Sequence, residues 1–404
     1  MAEHHQLTDA ELAERPDAAI DAVATKSLIA GVIGLIALGA GYFIDRSQFL
    51  DSYLVAFVFV ICIVLGCLAL TMVHHLTGGA WGMICRRIWE AASRTMPILA
   101  LMFLPIAFNI EHIYSWAMPG AESDPIIQLK KSYLNEGFFF VRAFVFFAVW
   151  TVLAYFLSRW SKEQDTTPAQ PAGDRDSRFR VLSGPGLVLY VLTVTFMAVD
   201  WIMSLDPHWY STMFGVIFIG AQGLAAIAFS ILMVSTLSHT RPLSHVLTPT
   251  HLHDLGKLML AFVMLWAYFN FSQFLIIYSA NLPEEIPFYL RRLQGGWGWL
   301  SIALVVGHFA LPFALLLSQD LKKNRRKLMS VAAFVLAMRV IDLIWNIGPM
   351  FHHETERAPI HWMDFAAVLA LGGIWMFFFA RQLKGRTLVP YKDPYYKESM
   401  HVAH

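Results

Sequence analysis

Cysteine is scarce in this chain: Cys62, Cys67 and Cys85 are its only three among 404 residues. They form no Cys-x-x-Cys, with or without a following His, so the thiolate sets of an iron–sulfur cluster or a covalently attached haem are missing. Charge is scarce too. Charged residues make up 15% of the chain against 57% hydrophobic ones, and the mean hydropathy is +0.53. That much apolar surface cannot be folded into one water-soluble core, so lipid is the expected solvent. Neither sign of charge dominates, with 30 Lys and Arg against 29 Asp and Glu, which excludes the basic footprint of nucleic-acid binding. Histidine is rare at depth: of sixteen, only His308 lies in the middle of an apolar run, with His112 near the edge of another. A b-type haem held between helices needs two deep imidazoles. His74-His75, His352-His353 and His251 with His253 sit at run ends without converging carboxylates or thiols, where hydration rather than metal binding is the ordinary state.

What is present is length. Ten runs are long and apolar enough to cross a bilayer: 27–44, 53–73, 96–114, 138–157, 186–204, 213–235, 255–280, 298–318, 328–350 and 361–381. The expected fold class is therefore an all-α integral membrane protein of ten transmembrane helices, which two four-helix bundles and two flanking helices would accommodate. Lys and Arg alternate in density: 21 fall in the termini and every second connection, with Arg381 counted in the C-terminal group, and 6 in the others. Both termini should then be cytoplasmic. The plan is a tail over 1–26, a membrane domain over 27–381 with a cytoplasmic loop at 158–185, and a tail over 382–404. Glu11, Glu14, Asp17 and Asp21 precede the first run, and no small-residue cleavage site follows, so a removable signal is not expected.

Ionisable residues inside the runs fall into two layers. Arg339 and Asp342 lie in the middle of 328–350, three residues apart on one helix face and about 16 Å from either end. A charge there costs about 2.5–3.5 kcal/mol on insertion scales. His308 holds the matching depth in 298–318, and Pro312 leaves its carbonyl without a helical partner. The three suit a proton station, with a buried salt bridge that pins helices as the competing reading. A second layer lies toward the opposite, non-cytoplasmic face: Glu111, His112, Arg142, Asp200 and Asp364. These suit a proton exit or a quinol-head site, since each quinol hydroxyl needs a proton acceptor on oxidation. Lys257 is a proton-uptake candidate at the cytoplasmic end, or a snorkelling side chain. Gln222, Asn270 and Gln273 are expected to bond helix to helix. Gly31, Gly34, Gly39 and Gly41 give the first run a face for close contact, with a second subunit as a candidate partner, and tryptophans at the run ends form aromatic belts.

The segment Asp200-Trp201-Ile202-Met203-Ser204-Leu205-Asp206-Pro207-His208-Trp209-Tyr210-Ser211-Thr212, followed by Ser272-Gln273-Phe274-Leu275 and Asn281-Leu282-Pro283-Glu284-Glu285, carries a resemblance. It is similar to the polysulfide-reductase-type (NrfD-like) membrane subunits of bacterial alternative complex III. Within that family it most resembles the second of the two large ten-helix subunits, the quinone-binding subunit 2 type of quinol:cytochrome c oxidoreductase. The likeness spans the ten runs and is most specific over 200–215 and 262–299; Tyr278-Ser279 departs from the Trp-Tyr of the family pattern.

The resemblance implies a multi-pass subunit of a quinol-oxidising respiratory complex in the bacterial cytoplasmic membrane, without covalently bound cofactors of its own. Quinone or quinol is its candidate ligand, although the sister NrfD-like subunit is the better candidate for that site. Haems and iron–sulfur clusters would belong to an iron–sulfur subunit and c-type cytochrome subunits, with a terminal oxidase as a further candidate partner. It places Asp200 and His208 in a periplasmic-side motif, whereas His308, Arg339 and Asp342 rest on depth alone. Three functions follow for testing: proton pathways and architecture within the complex, quinol binding on the periplasmic side, and a structural anchor or secondary transporter. The subunit is not expected to be catalytic by itself.

Overall fold

Backbone N–H and C=O groups in hydrocarbon must be satisfied within the segment, so apolar runs of this length fold as helices. The computed structural model describes residues 8–166, 177–351, 359–394 and 396, and among them every regular element is helical. His352 and His353, part of the expected 158–185 loop and parts of both expected tails lie outside the described residues. Among the described residues, nine helices are long and apolar enough to cross a membrane. They are α1 (Asp17–Ile44), α2 (Arg46–Thr77), α3 (Glu136–Thr166), α4 (Ser177–Trp201), α5 (Phe214–Leu237), α6 (Pro249–Ala280), α7 (Gly295–Leu317), α8 (Arg325–Phe351) and α9 (Trp362–Leu383).

The remaining expected run, 96–114, is a broken one. It is divided into Met96–Met102, Leu104–Ala107 and Ile110–Ile113. Pro105 supplies the physical cause, because it offers no N–H to the carbonyl of Leu101 and its ring crowds that turn.

α2 is the hub. It is buried over nearly its whole length and packs against α4, α5, α8 and α9, while α5 also meets α4, α6 and α8. α1 and α9 form a pair on the outside. A Cβ on Gly34 would lie 2.3 Å from the backbone N of Ala370, and one on Gly373 would lie 2.5 Å from the N of Gly31. The glycine face of α1 is therefore used inside the chain, on α9, rather than kept for a second subunit; Gly39 alone of the four faces open space.

Ion pairs show which ends share a face. Lys384 Nζ donates to both carboxylate oxygens of Asp21 at 2.7 Å, and Gly385 N–H to Asp17 at 2.9 Å, so α1 begins where α9 ends. Arg86 Nη1 reaches Asp393 at 2.6 Å and Arg87 pairs with Asp165. The helix Arg86–Ser93, the end of α3 and the segment after α9 thus meet at that same face.

α7 is irregular in its middle. Residues Leu304–Ala310 form a π-helical turn, and the Leu311 N–H donates to the carbonyl of Val306, five residues back. Pro312 cannot bond to His308, so the backbone widens around that histidine instead of running through it.

Candidate functional site

Arg339 and Asp342 do face one another across one turn of α8, as their spacing requires, with an ion pair between Arg339 Nη1 and Asp342 Oδ2. Both side chains are 1% exposed. A carboxylate so far from water needs several donors, and it has them. Trp266 Nε1 of α6 donates to Oδ2 at 3.3 Å, and Asn346 Nδ2, one turn further along α8, donates to Oδ1 at 3.2 Å and to the Asp342 carbonyl at 2.8 Å. The guanidinium is less well served. Its remaining neighbours are Cys62 Sγ of α2 at 4.0 Å and the Phe218 ring of α5, 5.4 Å from Cζ, and its Nε has no hydrogen-bond partner among the described residues.

His308 is completely buried at the π turn of α7. Its ring meets the Trp266 indole edge-on, with centroids 4.4 Å apart and planes at 87°. Neither ring nitrogen has a hydrogen-bond partner among the described residues. Trp266 therefore touches both His308 and Asp342, and takes the place of the direct His–Asp contact that matching depth suggested.

Asp342 also borders a cavity. A space of about 620 Å³, within the range of small-molecule sites, is bounded by α6, the short helix Pro287–Leu293, α7 and α8. Asp342 lies in its wall together with Asn270, Tyr289, Arg292, Ser301 and Trp345. The rest of the lining is apolar, and Tyr268, Phe271 and Val305 on the rim are more than 60% exposed. Arg292, only 1% exposed, builds the polar end: its Nε donates to the Trp345 carbonyl at 3.0 Å and its Nη2 to the Asn346 carbonyl at 2.6 Å, tying Pro287–Leu293 to α8.

The residues of the second layer are dispersed. Arg142 Nε reaches Asp200 Oδ2 at 2.6 Å, and the Tyr133 hydroxyl donates to Asp200 Oδ1 at 2.7 Å, making one buried cluster between α3 and α4. His208 belongs to another, 2.8 Å from Asp124, near Asp206, which Arg291 holds at 2.6 Å. Asp364 caps the start of α9 by accepting from the His361 N–H and takes the Ser52 hydroxyl of α2 at 2.6 Å. Glu111 and His112 are exposed. The single surface expected from depth is thus three local arrangements plus two exposed side chains.

Lys257 is exposed and pairs with Asp254 at 3.2 Å, a snorkelling position. Gln222 accepts from the Tyr190 hydroxyl and Gln273 from the Ser211 hydroxyl, both links between elements, but Asn270 bonds to the Trp266 carbonyl of its own helix instead of to another. His75 stacks on Phe179 at 4.4 Å and His251 Nδ1 takes the Thr248 N–H at a helix cap.

Sequence reasoning missed Trp266, Asn346 and Arg292. Two had a visible signal: Trp266 sits mid-run, away from the interfacial belts, and Asn346 is a polar residue one turn beyond Asp342. Arg292 had none, because a loop cation reads as hydrated until the loop is seen folded inward. No protein-family model matches this chain, and no curated protein matches it.

Proposed function

We propose that this chain is a membrane subunit of a quinol-oxidising electron-transfer complex of the polysulfide-reductase type, in which Asp342 is the proton-handling group. One observation carries the reading: Asp342 is buried mid-helix beside Arg339 and yet stands in the wall of a cavity. Arg339 pairs with it, Trp266 and Asn346 hold its two oxygens, and His308, whose ring nitrogens have no hydrogen-bond partner among the described residues, is the next acceptor inward behind Trp266.

On this reading the broken 96–114 segment completes ten crossings. Chain order divides the helices into two four-helix groups, 46–201 and 214–351, with α1 and α9 flanking them; α2 meets α5 where the two groups join. Both termini are cytoplasmic in the bacterial inner membrane; haems, iron–sulfur clusters and the sister membrane subunit belong to the partners. The test uses the assembled complex in proteoliposomes. Asp342→Asn should abolish proton release or membrane-potential generation while assembly persists. Unchanged proton-to-electron stoichiometry would refute the assignment.

The cavity also favours a second reading, in which the quinol itself enters from the lipid and gives a hydroxyl proton to Asp342. Its size and its apolar wall with one polar end suit an amphipathic ring. Asp342→Asn should then raise the apparent quinol KM, and Asp200→Asn should leave it unchanged. An effect of Asp200→Asn alone would return the quinol to the Arg142–Asp200 cluster.

A further inference from the structure

A second cavity, of about 350 Å³, lies at the face where α1 begins and α9 ends, between the Met96–Met102 helix, α3 and the end of α9. Four cationic residues line it, Arg94, Arg159, Lys162 and Arg386, and no Asp or Glu does. The excess follows from how the neighbouring charges pair. Arg86 and Arg87 are matched by Glu90, Asp393 and Asp165. Arg386, 15% exposed, shares Glu90, with its Nη1 at 3.7 Å from Oε2, beyond hydrogen-bond distance, and feels Asp165 only at longer range. Arg94 uses Nη2 on the Gln382 carbonyl, and its buried Nε has no partner among the described residues; neither has the buried Ser158 hydroxyl in the same wall. Burial, and then the charge of Arg386, pull the Arg94 guanidinium down to about 10, so it stays cationic at neutral pH while two guanidiniums face one space.

Arg159 is paired with Glu163 at 3.1 Å outside the lining, so the partly buried Arg94 and Arg386 are the cations short of an acceptor, and phosphate oxygens are the acceptors that guanidinium forks fit best. Below the cations the lining turns apolar, through Met96, Pro97 and Ala154. A polar mouth above an apolar wall, at the end of membrane-spanning helices, is the shape of a lipid rather than of a free ion. We propose that this cavity binds an anionic phospholipid, its phosphate held by Arg94, Arg386, Arg159 and Lys162 and an acyl chain lying along Met96, Pro97 and Ala154.

The test takes the full chain, delipidated in detergent, and measures binding by native mass spectrometry and thermal shift. The probes are phosphatidylglycerol, phosphatidylcholine and inorganic phosphate. Phosphatidylglycerol should bind and raise the melting temperature, while the other two should do neither at equal concentration. Arg159 and Lys162 are exposed, so the double variant R159Q/K162Q should fold normally and bind phosphatidylglycerol at least about tenfold more weakly. Arg94→Gln should weaken it further. K323Q/R326Q, which removes two exposed cations elsewhere, should change nothing. The proposal is overturned if phosphatidylglycerol does not bind, if phosphatidylcholine or inorganic phosphate reproduces the shift, or if the two double variants behave alike.

Discussion

Asp342→Asn removes the charge facing Arg339 while keeping a side chain of nearly the same size and an oxygen that can still accept from Trp266. The expected cost is therefore almost wholly electrostatic. Both partners are 1% exposed, and removing one member of a buried pair costs about 3–5 kcal/mol. The Phe218 ring and the Cys62 sulfur at 4.0 Å neighbour Arg339 in both proteins and replace nothing of the lost carboxylate, so the loss stays at about 3–5 kcal/mol. Arg339→Gln should cost less. A stranded carboxylate can take up a proton and become neutral, whereas a stranded guanidinium cannot give one up. The double variant Arg339→Met, Asp342→Leu strands no charge and should recover more than half of the Asp342→Asn loss. Unfolding of purified variants in mixed micelles with increasing dodecyl sulfate measures all three. Equal losses for the two single variants, with an additive double, would show that the charges are not coupled and would refute the reasoning.

Three further outcomes follow from the packing and the charges. Gly34→Ala places a methyl 2.3 Å from the Ala370 backbone N and should destabilise the α1–α9 pair by about 1–3 kcal/mol, whereas Gly39→Ala meets nothing within 4 Å and should be neutral or slightly stabilising; thermal melts of the two variants decide. Asp200→Asn strands the nearly buried Arg142 and should cost about 3 kcal/mol, while Glu111→Gln and His112→Gln, both exposed, should stay within about 0.5 kcal/mol in the same melts. Burial raises the Glu90 carboxyl, but Arg87, Arg86 and Arg386 outweigh it and hold the group well below the carboxylate range. A depressed folded value means that its stabilisation is complete above the ordinary value of 4.5 and is lost as the pH falls below it. The melting temperature should therefore be flat in this contribution from pH 7 to 5 and decline below about 4.5, and Glu90→Gln should lower the plateau and flatten the decline.

Hydropathy and length made the helices legible, because lipid forces any long apolar run to satisfy its own backbone. The same rule explains the partial failure at 96–114, where Pro105 breaks a run that composition alone reads as continuous. Depth counting also worked within one helix. Arg339 and Asp342 are fixed relative to each other by helical geometry, so their pairing could be read without a fold. Between helices depth is only one coordinate. His308 matches Asp342 in its position along the run but sits behind Trp266, and the outer layer of Glu111, His112, Arg142, Asp200, His208 and Asp364 separates into local arrangements although run position alone puts its members together. Nothing in the sequence reports the azimuth that divides them. The cavity was invisible for the same reason: it needs α6, Pro287–Leu293, α7 and α8 together, and its polar end is a loop arginine folded inward. The glycine face of α1 was legible as a contact surface but not as to its partner, which α9 supplies with its own Gly373.

The central claim is that Asp342 changes its protonation in the working cycle. Infrared difference spectra of the assembled complex between its oxidised and reduced states test it most directly, because a buried carboxyl gains or loses a carbonyl stretch when it takes up or releases a proton. Such a band is expected in the wild type and should disappear in Asp342→Asn while persisting in Asp200→Asn. A spectrum unchanged by Asp342→Asn would contradict it.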